Sequence, residues 1–151
     1  MRNAERGKQL LDAGARRVIV GSALFAEEGG VNAALAAEMA EKLGVKHVVA
    51  GIDTKNGRIA VKGWKANVDL TPDAAIPALE PYASAFLYTH VDGEGLLQGF
   101  PLATAERLRG LTARQLIVAG GIRSQEEVDA LDALGVDAVV GMAVYTELLA
   151  V

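Results

Sequence analysis

Five short, nearly continuous apolar runs, each separated from the next by a stretch of helical spacing, govern the reading of this sequence. They lie at residues 17–20, 47–53, 85–91, 115–119 and 137–141 and consist largely of Val, Ile, Leu and Ala. Runs this short cannot be core helices, and they lack the apolar/polar alternation of a half-exposed strand. Their composition is that of parallel strands buried on both faces. Between them the spacing turns helical: Val31, Leu35, Met39 and Leu43 recur every four residues and share one face. Thr71-Pro72-Asp73 and Phe100-Pro101 read as helix entrances with proline in the first turn, and Ser124 to Glu127 has the spacing of a capping box. Gly14, Gly44 and Gly135 stand where helices end ahead of strands. Repeated strand-helix alternation specifies an α/β fold with a parallel sheet. At 151 residues, without a linker or a shift in composition, residues 1–151 are expected to form one domain.

Two features refine that expectation. After the second run, Asn56-Gly57 is a strong hairpin signal, and the segment that follows, Ile59 to Trp64, presents the only tryptophan. The chain also repeats itself. Residues 1–23 parallel residues 122–143 with a one-residue gap, each copy running from an Arg through a helix and a Gly to a strand that ends in Gly. A repeated unit of this kind points to duplicated half-barrel segments rather than to a doubly wound sheet. Five parallel strands cannot close an eight-stranded barrel, so two exposed sheet edges, or assembly with a complementary half-barrel or a second copy, are expected.

Composition narrows the function. A net charge of −4 argues against nucleic acid and against anionic membranes. The absence of cysteine excludes a disulfide framework, a thiolate nucleophile and cysteine-ligated metal. Arg2, Glu5, Arg6 and Lys8 leave no apolar core for a signal peptide, and no apolar run reaches the ~20 residues of a membrane span. A cytoplasmic location is the expectation.

Ligands of parallel α/β folds bind at the carboxyl ends of the strands. Here those ends carry Gly21-Ser22, Asp53-Thr54, Thr89-His90, Gly120-Gly121 and Gly141-Met142. Glycine lets backbone N–H groups approach a phosphate closely, but tight strand-to-helix turns need glycine as well. Adjacent glycine sites at the last two strand ends favour phosphate. Asp53 closes a buried run, where a carboxylate is costly unless hydrogen-bonded or used. It is either a general acid or base, with Thr89 and Glu94 as candidate partners, or a brace for the hairpin. His47 begins its strand and His90 ends its own, so a metal site is not expected. Trp64 could stack on a heterocycle or simply pack. Arg2 and Arg123 stand at helix mouths, placed to meet an anion or to lie solvated.

Four segments resemble one family. Asp53 to Trp64 looks like the fifth-strand signature of the phosphoribosylformimino-aminoimidazole carboxamide ribotide isomerases of histidine biosynthesis. Tyr88 to Gly99 resembles their sixth-strand loop, with Glu94 where many members carry aspartate. Val118 to Arg123 and Val140 to Tyr145 resemble the ends of strands seven and eight. The paralogous cyclase, the imidazole glycerol phosphate synthase subunit, shares the aspartate, but Gly63-Trp64 after a hairpin favours the isomerase. The resemblance implies a (β/α)8 TIM barrel that carries out an Amadori rearrangement on a bis-phosphorylated substrate without metal or organic cofactor. By that resemblance Asp53 is the acid that opens the furanose ring, Thr89 orients the substrate and Trp64 stacks on it. Gly120, Gly121 and Gly141 hold one phosphate, while Gly21, Ser22 and Arg2 belong to the other. Aligned on that family, the chain runs from the third helix to the eighth strand, so three strands and the proton-abstracting aspartate fall outside it. A non-catalytic half-barrel that binds phosphosugars or self-associates is the alternative.

Overall fold

The computed structural model describes residues 3–26, 28–63, 65–93 and 96–146. The elements are α1 (Ala4–Asp12), β1 (Val18–Val20), α2 (Ala33–Leu43), β2 (Val48–Lys55), β3 (Arg58–Val61), β4 (Ala66–Asn67), α3 (Pro72–Leu79), β5 (Ala85–His90), α4 (Leu102–Arg109), β6 (Gln115–Ala119), α5 (Gln125–Ala133), β7 (Asp137–Val139) and α6 (Met142–Tyr145). The five apolar runs form β1, β2, β5, β6 and β7, parallel and hydrogen-bonded in chain order. Sequential order with a helix between strands is the barrel-like progression and not the reversing order of a doubly wound sheet. No helix among the described residues is long and apolar enough to cross a membrane.

Local signals account for the boundaries. Asn32 caps α2 by accepting from the Leu35 N–H, so this helix begins just inside the apolar pattern. Pro72 occupies the first turn of α3, whereas Pro101 sits one residue further out, at the cap of α4. Strand β2 continues past Asp53 to Lys55 because the hairpin pairs Thr54 with Ile59 and Lys55 with Arg58. Its turn residues Asn56 (φ 52°) and Gly57 (φ 74°) both adopt positive φ, as a two-residue hairpin turn demands.

Cross-strand register sorts the strand residues onto two faces. Val20, Ala50, Phe86 and Leu116 form one row, and Ile52, Tyr88, Val118 and Ala138 the next. These rows meet Met39, Ile76, Leu79, Leu108 and Leu131 from the helices in a continuous core. The opposite face is different. Its rows run Ile19-Val49-Ala85-Gln115, Gly51-Leu87-Ile117-Asp137 and Asp53-Thr89-Ala119-Val139. No described helix covers it, and Ile19 and Val139 remain 52% and 48% exposed. The expectation of strands buried on both faces holds at the centre of the sheet, where Val49, Ala85 and Ala119 of this face are buried, and is corrected at the edge strands β1 and β7, whose residues on this face are exposed. Continuous apolar composition records two apolar faces, and at the edges only one of them finds its cover here.

The repeated segments also match in backbone. Asn3 and Ser124 cap α1 and α5 in the same extended conformation, each accepting from the N–H three residues on. Both helices end on a positive-φ glycine, Gly14 and Gly135, and close with equivalent bonds from Ala15 to Leu10 and from Val136 to Leu131, each 3.0 Å. After the strand, Gly21 (φ −111°) and Gly141 (φ −112°) each open a short helical turn. Ile19 and Val139, the two exposed large apolar residues of that face, are equivalent positions in the repeat.

Candidate functional site at the carboxyl rim

All five parallel strands deliver their carboxyl ends to one rim. Asp53 and Thr89 are direct register partners on β2 and β5, both half-buried, with side chains on the open face. Next in that row come Ala119 and Val139, each followed within two residues by glycine. The acid and the threonine therefore stand beside two strands whose ends carry no side chain that would fill the rim.

The glycines differ in why they are glycine. Gly120 has φ +109°, and a Cβ there would collide with the His90 carbonyl at the end of β5. That position is fixed by the backbone and by packing, whatever binds above it. Gly121 has φ +79° and accepts from the Gly99 N–H at 2.9 Å, which ties the loop after β5 to the loop after β6. Gly141 and Gly21 have negative φ, and a Cβ on either would meet no heavy atom within 4 Å. Neither positive φ nor crowding demands glycine there; the space above their backbone is open. Gly120, Gly121 and Gly141 line one small cavity of about 70 Å³ with Leu97, Ala119, Ile122, Val139 and Met142.

The hairpin is held over the rim from two sides. The Asn56 N–H donates to the Asp92 carboxylate at 2.9 Å, and the Lys62 N–H donates to Ser22 Oγ at 3.2 Å. Asp92 thus braces the hairpin turn, and Ser22 serves the hairpin while keeping its own hydroxyl proton for another acceptor. Asp92 was missed in the sequence because only the fold brings it to Asn56. Behind the rim, Thr54 donates to the Tyr88 hydroxyl at 2.7 Å. Burial pushes the Tyr88 phenol above its ordinary value, so this pair is a neutral, ordered support beneath Asp53 and Thr89. Arg123 turns to Glu127, its Nε 3.0 Å from the carboxylate.

The remaining sequence candidates, Arg2, Trp64 and Glu94, lie outside the described residues. His90 lies at the carboxyl rim and His47 at the opposite end of the sheet. No group of three His, Asp or Glu side chains among the described residues could hold a metal ion.

Comparison with known proteins places this arrangement. The family model described as "Histidine biosynthesis protein" matches residues 1–150. The chain belongs to the histidine biosynthesis protein family. Among the relatives it is similar to is a 1-(5-phosphoribosyl)-5-((5-phosphoribosylamino)methylideneamino) imidazole-4-carboxamide isomerase of Methanocaldococcus jannaschii, 34% identical over 99% of this chain and 61% of the relative. Proteins of the same name in Nitratidesulfovibrio vulgaris Miyazaki F and Methanococcus maripaludis C6 are 35% and 30% identical, over 97% and 99% of this chain and 60% and 61% of their own lengths. The chain therefore spans about three fifths of the curated relatives it matches.

Proposed function

We propose that this chain is one domain-forming segment of a (β/α)8 barrel, five parallel strands long, that acts as an aldose-ketose isomerase on a bis-phosphorylated ribosylaminoimidazole carboxamide. The observation that carries the reading is the juxtaposition of Asp53 with Thr89 on the rim that also holds the glycine cavity. The names of these relatives favour the isomerase over the cyclase. Three further strands, outside this chain, pair with the edges of β1 and β7 and cover the open face.

In the reaction Asp53 donates its proton to the furanose ring oxygen as the C1–O bond breaks, leaving a protonated imine at C1. A second carboxylate, outside the chain, removes the C2 proton; the enolamine then collapses to the aminoketose, with net migration of hydrogen from C2 to C1. Thr89 holds the sugar hydroxyls against Asp53. Gly120, Gly121 and Gly141 present backbone N–H groups to one phosphate, Gly21, Ser22 and Arg2 to the other, and Trp64 and Glu94 contact the body of the substrate. No metal or organic cofactor is needed for these steps. The half-exposed Ile19 and Val139 favour a second reading, in which the chain alone is a phosphosugar-binding half-barrel that acts only with a complementary half or a second copy.

The test is complementation. The first two fifths of the Methanocaldococcus jannaschii relative, supplied as a separate polypeptide, should give turnover of the aminoaldose that falls about 10²–10⁴-fold in Asp53→Asn, the range of one positioned general acid. Turnover indifferent to Asp53→Asn would overturn the assignment of the acid.

A further inference from the structure

At the end of the sheet opposite the candidate site, a cavity of about 820 Å³ is lined by Ala15, Arg16, Arg17, Lys46, His47 and Ser84. These residues come from the three segments that lead into β1, β2 and β5. Parallel pairing of Val18 with Val48 sets the doublet Arg16-Arg17 alongside the doublet Lys46-His47, since each doublet directly precedes its paired strand. Adjacent strands lie about 4.8 Å apart, so three fixed cations and an imidazole converge on one opening. Among the described residues no carboxylate lines it. Arg16 and Lys46 make no salt bridge among the described residues. Arg17 donates to Gln115 Oε1 at 2.6 Å, and Gln115 in turn donates to Asp137 at 2.7 Å, which fixes the guanidinium without neutralising it directly. His47 Nδ1 lies 2.7 Å from the Arg16 carbonyl; a carbonyl only accepts, so Nδ1 carries the proton and Nε2 is left for another partner.

Arg16, Arg17 and Lys46 are exposed, and this local concentration of positive charge on a chain whose net charge is −4 sets up a potential that draws in a small anion. We propose that this amino-terminal rim binds a small polyphosphate anion. Guanidinium groups engage phosphoryl oxygens two at a time, and an ammonium and an imidazole on the next strand reach a second phosphoryl group. The cavity is larger than one phosphate requires and falls in the size range of small-molecule sites. An acidic protein segment suits it less, because among the described residues the lining carries no aromatic or large apolar side chain, the anchors on which protein interfaces depend. The site is separate from the carboxyl rim and does not depend on the function proposed there.

The experiment is an amide NMR titration of the chain with inorganic pyrophosphate at constant ionic strength. Saturable shifts are expected at Arg16, Arg17, Lys46, His47 and Ser84. The Arg16→Gln/Lys46→Gln double variant, which keeps both side-chain stems, should bind about tenfold or more weakly through loss of charge-assisted hydrogen bonds. Any response at Gly121 and Gly141 should stay as in the parent chain, which separates this site from the phosphate sites of the carboxyl rim. Shifts confined to those glycines, a non-saturating response, or equal binding by the double variant would overturn the proposal. Binding of a poly-glutamate peptide in the absence of any pyrophosphate response would overturn it in favour of an acidic protein partner.

Discussion

Gly120 and Gly141 both stand just beyond a strand end, after β6 and β7, yet the physics of the two residues is opposite. Gly120 combines positive φ with the His90 carbonyl where a Cβ would stand, so Gly120→Ala should lower stability by about 2–4 kcal/mol, read as the urea midpoint. Gly141 faces open space, so Gly141→Ala should cost far less stability and instead weaken phosphate binding, measured by titration with ribose 5-phosphate. Equal destabilisation by both would remove the argument that the space above Gly141 is kept for a ligand. Both glycines were visible in the sequence; which one the backbone requires and which stands under open space was not, because the distinction rests on what the end of β5 places beside each.

Among the elements, the junction between α3 and the loop before β6 depends on a single carboxylate. Glu80 Oε1 accepts from the Ala113 N–H at 3.0 Å and from the Thr112 hydroxyl at 2.9 Å, and these bonds hold its carboxyl below the ordinary 4.5. A depressed folded-state pKa contributes stability that is complete above the unfolded value and is lost as pH falls through the folded one. Glu80→Ala should therefore lower the denaturation midpoint at pH 7, and the deficit should shrink below about pH 4 as the parent carboxylate is protonated. A deficit independent of pH would assign the effect to packing. On α3 itself, Asp73 is lowered mainly by its hydrogen bond from Arg107 of α4, so acid should loosen this helix pair in the same direction. Helix starts were largely readable from Thr71-Pro72 and Ser124, because capping is local chemistry. The Glu80 junction, spanning more than thirty residues, was not.

For the whole molecule, the open face dominates. Ile19 and Val139 stand half-exposed at repeat-equivalent positions, with Leu87 and Ile117 partly exposed between them. The chain alone should bind an apolar dye while folded, and the Ile19→Thr/Val139→Thr pair should reduce that binding with a stability change within about 1 kcal/mol, since neither side chain is fully buried. A complementary polypeptide that restores turnover should quench the same dye signal; turnover without quenching would place that polypeptide elsewhere than on this face.

Strand order, helix spacing, the hairpin and the repeat all followed from the sequence because each rests on short-range chemistry: apolar period, caps, and a turn that tolerates positive φ. Asp53, Thr89 and the strand-end glycines were legible for a related reason, since parallel α/β topology sends every strand end to one rim. Tertiary structure alone decided what those residues meet. It set Asp53 beside Thr89 in register, tied the hairpin turn to Asp92, engaged Ser22 with Lys62 and gathered four basic positions at the far end of the sheet. It also left the apolar edges of one face, at Ile19 and Val139, exposed. An apolar residue records that it belongs out of water, but which surface removes it from water is fixed only when distant segments pack.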